Sequence, residues 1–298
     1  MRAVVMRETG DPDVLHLEDV DPPEPDEGEL LIDVRAIAVN PIEWKLRRGL
    51  VPRELPAVLG SDVSGTVAES RADGFDAGDE VFGLASGAYA EQAVAPAARV
   101  ARLPAGLTHE QAAAIPVAGL TAWQALFDRA RLKAGQTALI AGAAGGVGHF
   151  AVQFCSHAGA RAIGVGSGAN RDFVMGLGAS EYVDYASQDV GQAVSGVDMA
   201  FDAVGGETTS RLVPTIRAGG MLVTIAAAPP EQAASERGVR AELLVMSPDA
   251  GQLAHIGELV AGGEVRVEIS YELALADVQR AHELSESGHT RGKIVLKP

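Results

Sequence analysis

The run Ala141-Gly142-Ala143-Ala144-Gly145-Gly146-Val147-Gly148 stands between an apolar segment, Thr137–Ala141, and a helical pattern over His149–Ala158. No other feature limits the fold as much. Glycines permit a tight strand-to-helix turn and let the backbone approach a pyrophosphate. The first amides of the helix then face that phosphate with a favourable dipole. A second apolar strand pattern, Arg161–Val165, follows about 15 residues on, as a dinucleotide-binding unit requires. No Gly-Lys-Ser/Thr closes the loop, so it is not a P-loop. Gly142, Ala143, Gly145, Gly146, Val147 and Gly148 are therefore candidate cofactor contacts; the alternative is a tight turn that holds nothing.

The pattern continues beyond this unit. Helices are expected over Arg171–Leu177, Thr208–Ile216 and Ala250–Ala261, and strands over Glu181–Asp184, Val197–Ala203, Met221–Ala226 and Arg240–Met246. Near-continuous apolar strands alternating with helices define a doubly wound parallel sheet covered on both faces. Ala226–Gly238 reads as a surface loop.

The first hundred or so residues differ. Ala3–Met6, Leu15–Asp19, Glu29–Ala38 and Val63–Glu69 are short strands parted by Pro- and Gly-rich turns, which favours a β-barrel. Thr108 with Gln111 three residues on is a helix-capping pair, and Gly119–Arg131 reads as an amphipathic helix. From about Val265 the chain returns to short strands around one helix, Leu275–Glu286, with a last strand at Lys293–Leu296. The expected architecture is α/β, with a discontinuous domain over 1–115 and 266–298 and a Rossmann domain over 116–265. The 298 residues agree with a prior of roughly 150 residues per domain.

Asp and Glu outnumber Lys and Arg by 40 to 24, for a formal charge of −16. Such a chain repels phosphate backbones and anionic lipid, so neither nucleic acid nor membrane is an expected partner. No run of 18 apolar residues occurs, and the first residues do not read as a signal peptide, which points to the cytoplasm. The single cysteine, Cys155, excludes both an intramolecular disulfide and a Cys-cluster zinc site, and reads as a small buried hydrophobe.

Units that bind NAD usually carry an acid at the end of the second strand, to hold the ribose 2′-hydroxyl. Here that strand runs into Gly166-Ser167-Gly168-Ala169-Asn170-Arg171 with no carboxylate at its end; Asp172 is the nearest acid. Ser167, Asn170 and Arg171 can instead hold a 2′-phosphate, with the guanidinium neutralising it. NADPH is the expected cofactor. Val204, at the end of the fourth strand, is expected near the cofactor, because ligands sit at the carboxyl ends of such strands.

These motifs resemble the quinone oxidoreductase branch of the medium-chain dehydrogenase/reductase superfamily. Gly135-Gln136, Leu139, the 143–148 run, Gln153 and Ser156 resemble its signature segment. The stretch from Ala38 to Arg47, containing Asn40-Pro41-Ile42-Glu43-Trp44-Lys45, resembles its Asn-Pro-x-Asp-x-Lys segment. Gly60-Ser61-Asp62-Val63-Ser64-Gly65, Gly119-Leu120-Thr121-Ala122 and Gly292-Lys293-Ile294-Val295 resemble further segments, so the likeness spans essentially the whole chain. It implies a GroES-like β-barrel catalytic domain, a Rossmann domain, an active site in the cleft between them, and a homodimer often formed by extension of the Rossmann sheets. By the same resemblance, Thr121 contacts the nicotinamide end and Tyr185 the adenosine phosphate, while Lys293 is a candidate for the cofactor phosphates or the cleft. Tyr89 is either a pocket wall or structural.

Three departures separate the chain from the zinc-dependent members. Asn40 or a neighbour replaces a zinc-binding cysteine, Ser61 replaces a zinc-binding histidine, and the four-cysteine lobe is missing. Without a Lewis acid to hold an alkoxide, the expected acceptor stabilises its own charge: a quinone or an α,β-unsaturated carbonyl. Asn40 is the candidate donor to the substrate carbonyl and Lys45 a second donor or charge stabiliser. Trp44 supplies an indole N–H and bulk where relatives often have a tyrosine nearby, so water is the expected proton source. Alternatives are an enoyl or polyketide-tailoring reductase, and an NADPH-binding sensor without turnover.

Overall fold

Short β-branched runs parted by Pro- and Gly-rich turns build the first strands: β1 (Arg2–Met6), β2 (Leu15–Asp19) and β3 (Glu29–Val39). After helix α1 (Pro41–Arg47) come β4 (Ala57–Val58), β5 (Asp62–Ser70), β6 (Glu80–Leu84), β7 (Gln92–Pro96) and β8 (Val100–Arg102). Helices α2 (His109–Ala113) and α3 (Pro116–Trp123) follow. The computed structural model describes residues 1–298. It divides into one unit of Met1–Leu120 with Pro248–Pro298 and another of Thr121–Ser247.

The capping pair forms as expected: Gln111 N donates to Thr108 Oγ1 at 3.3 Å and Thr108 N to Gln111 Oε1 at 3.2 Å. The single helix expected over Gly119–Arg131 is corrected. α3 begins at Pro116 and stops at Trp123, and Gln124–Arg129 winds as a wider π turn. There the Gln124 amide brackets the Ser247 backbone, donating at 2.7 Å and accepting at 3.0 Å.

In the second unit, strand and helix alternate: β9 (Thr137–Ala141), α4 (Gly148–His157), β10 (Arg161–Gly166), α5 (Arg171–Gly176), β11 (Glu181–Asp184) and α6 (Val190–Ala193). Then come β12 (Val197–Asp202), α7 (Glu207–Leu212), β13 (Ile216–Thr224), α8 (Glu231–Glu236) and β14 (Arg240–Leu243). The strands form one parallel sheet in the order β11-β10-β9-β12-β13-β14. Its inner face buries Leu139, Val165, Ala200 and Leu222. Two expectations are corrected. The helix expected to reach Ile216 ends at Leu212, since Pro214 lacks the N–H that would continue it and Ile216 already belongs to β13. The stretch Ala226–Gly238 is not wholly loop, because its Ala- and Glu-rich centre forms α8.

The tail carries α9 (Ala250–Ala261), β15 (Ile269–Ala274), α10 (Val278–Glu286) and β16 (Lys293–Lys297). It returns to the first unit. β16 lies between β15 and β3 in a seven-stranded sheet, pairing Ile294 with Val39 and Leu296 with Ile37. A three-stranded sheet, β2-β1-β4, shares one core with it, where Val4, Leu30, Ile37 and Val63 meet Val278 and Leu296 from the tail. The barrel expectation thus holds in a coarser form: two sheets around a common core, with an isolated bridge between Ala3 and Ala90.

Candidate functional site

The turn after β9 is built by backbone crowding. Gly142 has φ of +75°, a left-handed conformation that side chains disfavour. A Cβ at Gly148 would lie 2.1 Å from the Gly142 carbonyl oxygen, so only glycine lets helix α4 start this close to the strand. Gly142 N and Ala143 N both donate to Val165 O at 3.1 Å, which ties the turn to the end of β10. Gly145, Gly146 and Val147 are half-buried, leaving their backbone open to a ligand at the N-terminus of α4. Val204 follows β12 and is 56% exposed, and its Cγ2 would stand 3.1 Å from a Cβ at Gly142. β9 and β12 are neighbours at the point where the strand order reverses, the place at which such sheets hold ligands.

The ribose-side candidates also gather at the carboxyl ends of the strands. Asn170 Nδ2 donates to Ser167 Oγ at 3.3 Å, and Tyr182 Oη fixes the Ser167 carbonyl at 2.7 Å. Arg171 is exposed, and its Nη1 donates to Tyr182 O at 3.3 Å. Tyr185, 58% exposed, hangs its backbone on Gly166 O at 3.2 Å. Sequence reasoning looked for an acid only at the end of β10 and missed one supplied by β11. Gly166 pairs with Asp184, and a Cβ at Gly168 would stand 2.9 Å from Asp184 Oδ2. That carboxylate accepts from Ala186 N at 3.0 Å and Ser187 Oγ at 3.1 Å. Thr121 lies buried in α3.

In the first unit, α1 begins at Asn40, whose N–H donates to Glu43 Oε2 at 2.6 Å. Asn40 Nδ2 donates to Asp62 Oδ2 at 2.9 Å, and its Oδ1 accepts a short hydrogen bond from Lys293 Nζ. Lys293 also donates to Val39 O at 3.4 Å and stands 3.6 Å from Asp62 Oδ2. Of the two places expected for Lys293, the cofactor phosphates or the cleft, its ammonium stands in this cluster beside Asn40, with the residue 3% exposed. Antiparallel pairing of β16 with β3 puts it beside Asn40. Trp44 and Lys45 are half-buried on α1, with Lys45 Nζ 5.7 Å from the Trp44 ring centre. Trp44 Nε1 is buried without a hydrogen-bond partner.

Glu43 and Asp62 are almost wholly buried and were not singled out by sequence, although both lie in the motifs quoted for the resemblance. Burial, with the Asp62 charge adding to it, pushes the Glu43 carboxyl up to about 8. Burial raises Asp62 as well, but Lys293, Asn40 and the Val117 amide, at 3.0 Å, all favour its charged form. Beneath them, Tyr89 Oη meets His282 Nε2 at 3.2 Å, while Arg47 Nε donates to His282 Nδ1 at 3.3 Å. Tyr89 is fully buried, so it is a core residue of this network.

A nucleotide-binding parallel sheet joined to a unit of the GroES-like type defines the medium-chain dehydrogenase/reductase superfamily. Two family models match accordingly: the alcohol dehydrogenase GroES-like domain over residues 26–105, and the zinc-binding dehydrogenase model over 177–296. The chloroplast envelope quinone oxidoreductase homolog of Arabidopsis thaliana is 33% identical over 301 residues, covering 93% of this chain and 92% of that protein. Among solved structures, the quinone oxidoreductase from Coxiella burnetii superposes with a TM-score of 0.96 at 34% identity, covering 100% of this chain and 99% of the other. The Escherichia coli quinone oxidoreductase complexed with NADPH superposes at 0.92 with 28% identity, covering 100% of both chains. Within the superfamily, the chain belongs to the zinc-free quinone oxidoreductase branch.

Proposed function

We propose that this protein is an NADPH-dependent oxidoreductase that passes a hydride, without zinc, to a quinone or an α,β-unsaturated carbonyl. The observation that carries this reading is the 141–148 turn at the reversal point of the parallel sheet, where a Cβ at Gly148 would collide with the Gly142 carbonyl and break the turn. The nicotinamide supplies the hydride when bound. Gly142, Ala143, Gly145, Gly146, Val147 and Gly148 bind the pyrophosphate. Ser167, Asn170 and Arg171 bind the 2′-phosphate, Arg171 as its counter-charge. Thr121, Tyr185 and Val204 border the cofactor. The cofactor domain spans 116–265 and the acceptor domain 1–115 with 266–298, a reading supported by the compact unit Thr121–Ser247 inside the former.

On the acceptor side, Asn40 Nδ2 spends one hydrogen on Asp62 and has a second for the substrate oxygen. Trp44 Nε1 is a further donor without a partner, and Lys45 stabilises developing negative charge. The GroES-like unit serves as the catalytic barrel, and the protein works as a cytoplasmic homodimer.

The test is the rate of NADPH and of NADH oxidation by chelator-treated protein, with quinones, enones, enals and enoyl thioesters as acceptors. Turnover that survives chelation and prefers NADPH is expected. Loss on chelation overturns the zinc-free reading, and a preference for NADH overturns the roles of Ser167 and Arg171. A thioester preference points to a tailoring reductase, and NADPH binding without turnover to a sensor.

A further inference from the structure

Resting on that reading, we propose that Ser61 and Glu43 form a proton relay that protonates the reduced acceptor. Hydride addition leaves an enolate or a hydroquinone anion, which needs a proton in the same turnover. Glu43 is 1% exposed, and Ser61 is half-buried with its Oγ 3.3 Å from Glu43 Oε1. The hydroxyl is therefore placed to carry a proton out of an otherwise sealed carboxyl.

Charge balance decides which carboxyl keeps that proton. Glu43 and Asp62 share one ammonium, that of Lys293, and the third neighbouring titratable group is the buried phenol of Tyr89. Lys293, Asn40 Nδ2 and Val117 N all converge on Asp62. Glu43 has no such cation of its own: its Oε2 accepts from Asn40 N, and its Oε1 stands 3.3 Å from Ser61 Oγ, to which the protonated carboxyl donates, so the ionised Asp62 pairs with Lys293 and Glu43 stays neutral. In the proton-transfer step, the Ser61 O–H bond breaks as its proton passes to the acceptor anion. The Glu43 O–H bond breaks as its proton passes to Ser61 Oγ. Glu43 is left as a carboxylate and is reprotonated from water before the next turnover. No group of the protein is oxidised or reduced. Ser61 is the catalytic residue, and Glu43 acts through it.

The experiment compares wild type with Ser61→Ala and Glu43→Gln, using NADPH and the best enone of the acceptor panel. Expected are a wild-type kcat that falls above about pH 8, and a kcat at least roughly tenfold lower in both variants, the loss assigned to one general acid. That alkaline limb is lost in Glu43→Gln, with the NADPH dissociation constant within about twofold of wild type by fluorescence titration. Independently of turnover, the infrared band of a protonated carboxyl should titrate away over the same range in wild type and be missing from Glu43→Gln. Should Glu43→Gln fold poorly, Ser61→Ala and the infrared titration of wild type decide alone. Variants that keep wild-type kcat and pH profile, or a carboxyl band that does not titrate there, overturn the relay while leaving the reductase reading intact. A wild type inert toward every acceptor overturns both.

Discussion

Individual side chains in the first unit are held by burial as much as by pairing. His282 is fully buried, and burial together with the Arg47 guanidinium pushes its imidazole from 6.5 to about 3. The unfolded chain therefore binds a proton at His282 that the native chain refuses. Stability from this group is complete above the ordinary histidine range and is lost as pH falls from about 6.5 toward 3. Urea unfolding across that window should show a slope of up to about 1.4 kcal/mol per pH unit that His282→Gln flattens. An unchanged slope in the variant would place the acid sensitivity elsewhere. The Glu43–Asp62–Lys293 cluster was not legible in the sequence for a physical reason. Asn40, which ties it together, meets Asp62 and Lys293 across separations of 22 and 253 residues, and a buried carboxyl reads like an exposed one until its neighbours are known. Lys293 was left between two places on the same account: the motif located it, but only strand pairing shows where its ammonium goes.

At the scale of elements, backbone-encoded features were the most readable. β2, β9, β11 and α9 lie where hydrophobic patterning put them, because each is bounded by turn or cap chemistry in its immediate neighbours. Tertiary context shifted what patterning could not bound: the π turn after α3, the early stop of α7 and the short α8. The glycine turn is the element on which the proposed cofactor site depends. Gly148→Ala forces a Cβ against the Gly142 carbonyl, so it should cost about 1–3 kcal/mol of stability. NADPH should bind roughly tenfold more weakly or worse as the turn opens. Calorimetric titration of the variant would show it, and wild-type affinity would mean that the turn does not touch the pyrophosphate.

For the whole molecule, β14 is one of the two edges of the six-stranded sheet, and Leu243 and the nearby Val245 are 44% and 75% exposed there. An edge strand with exposed apolar side chains at its end invites a second copy to continue the sheet. Light scattering of wild type should give twice the 30.7 kDa chain mass, and Val245→Asp should shift it toward the single chain. A wild type of single-chain mass would sink the homodimer. The path of the chain also sets an order of events during synthesis. Strand β16 is an inner strand of the first unit's sheet, between β15 and β3, yet it is translated some 250 residues after β3. At a ribosomal rate of roughly 5–20 residues per second, β3 waits on the order of ten seconds or more for that partner. The intervening Thr121–Ser247 can finish its own sheet on the ribosome in that time. The unit with the parallel sheet is thus the part a nascent chain can complete first, and the first unit stays open to chaperones until its last strand arrives.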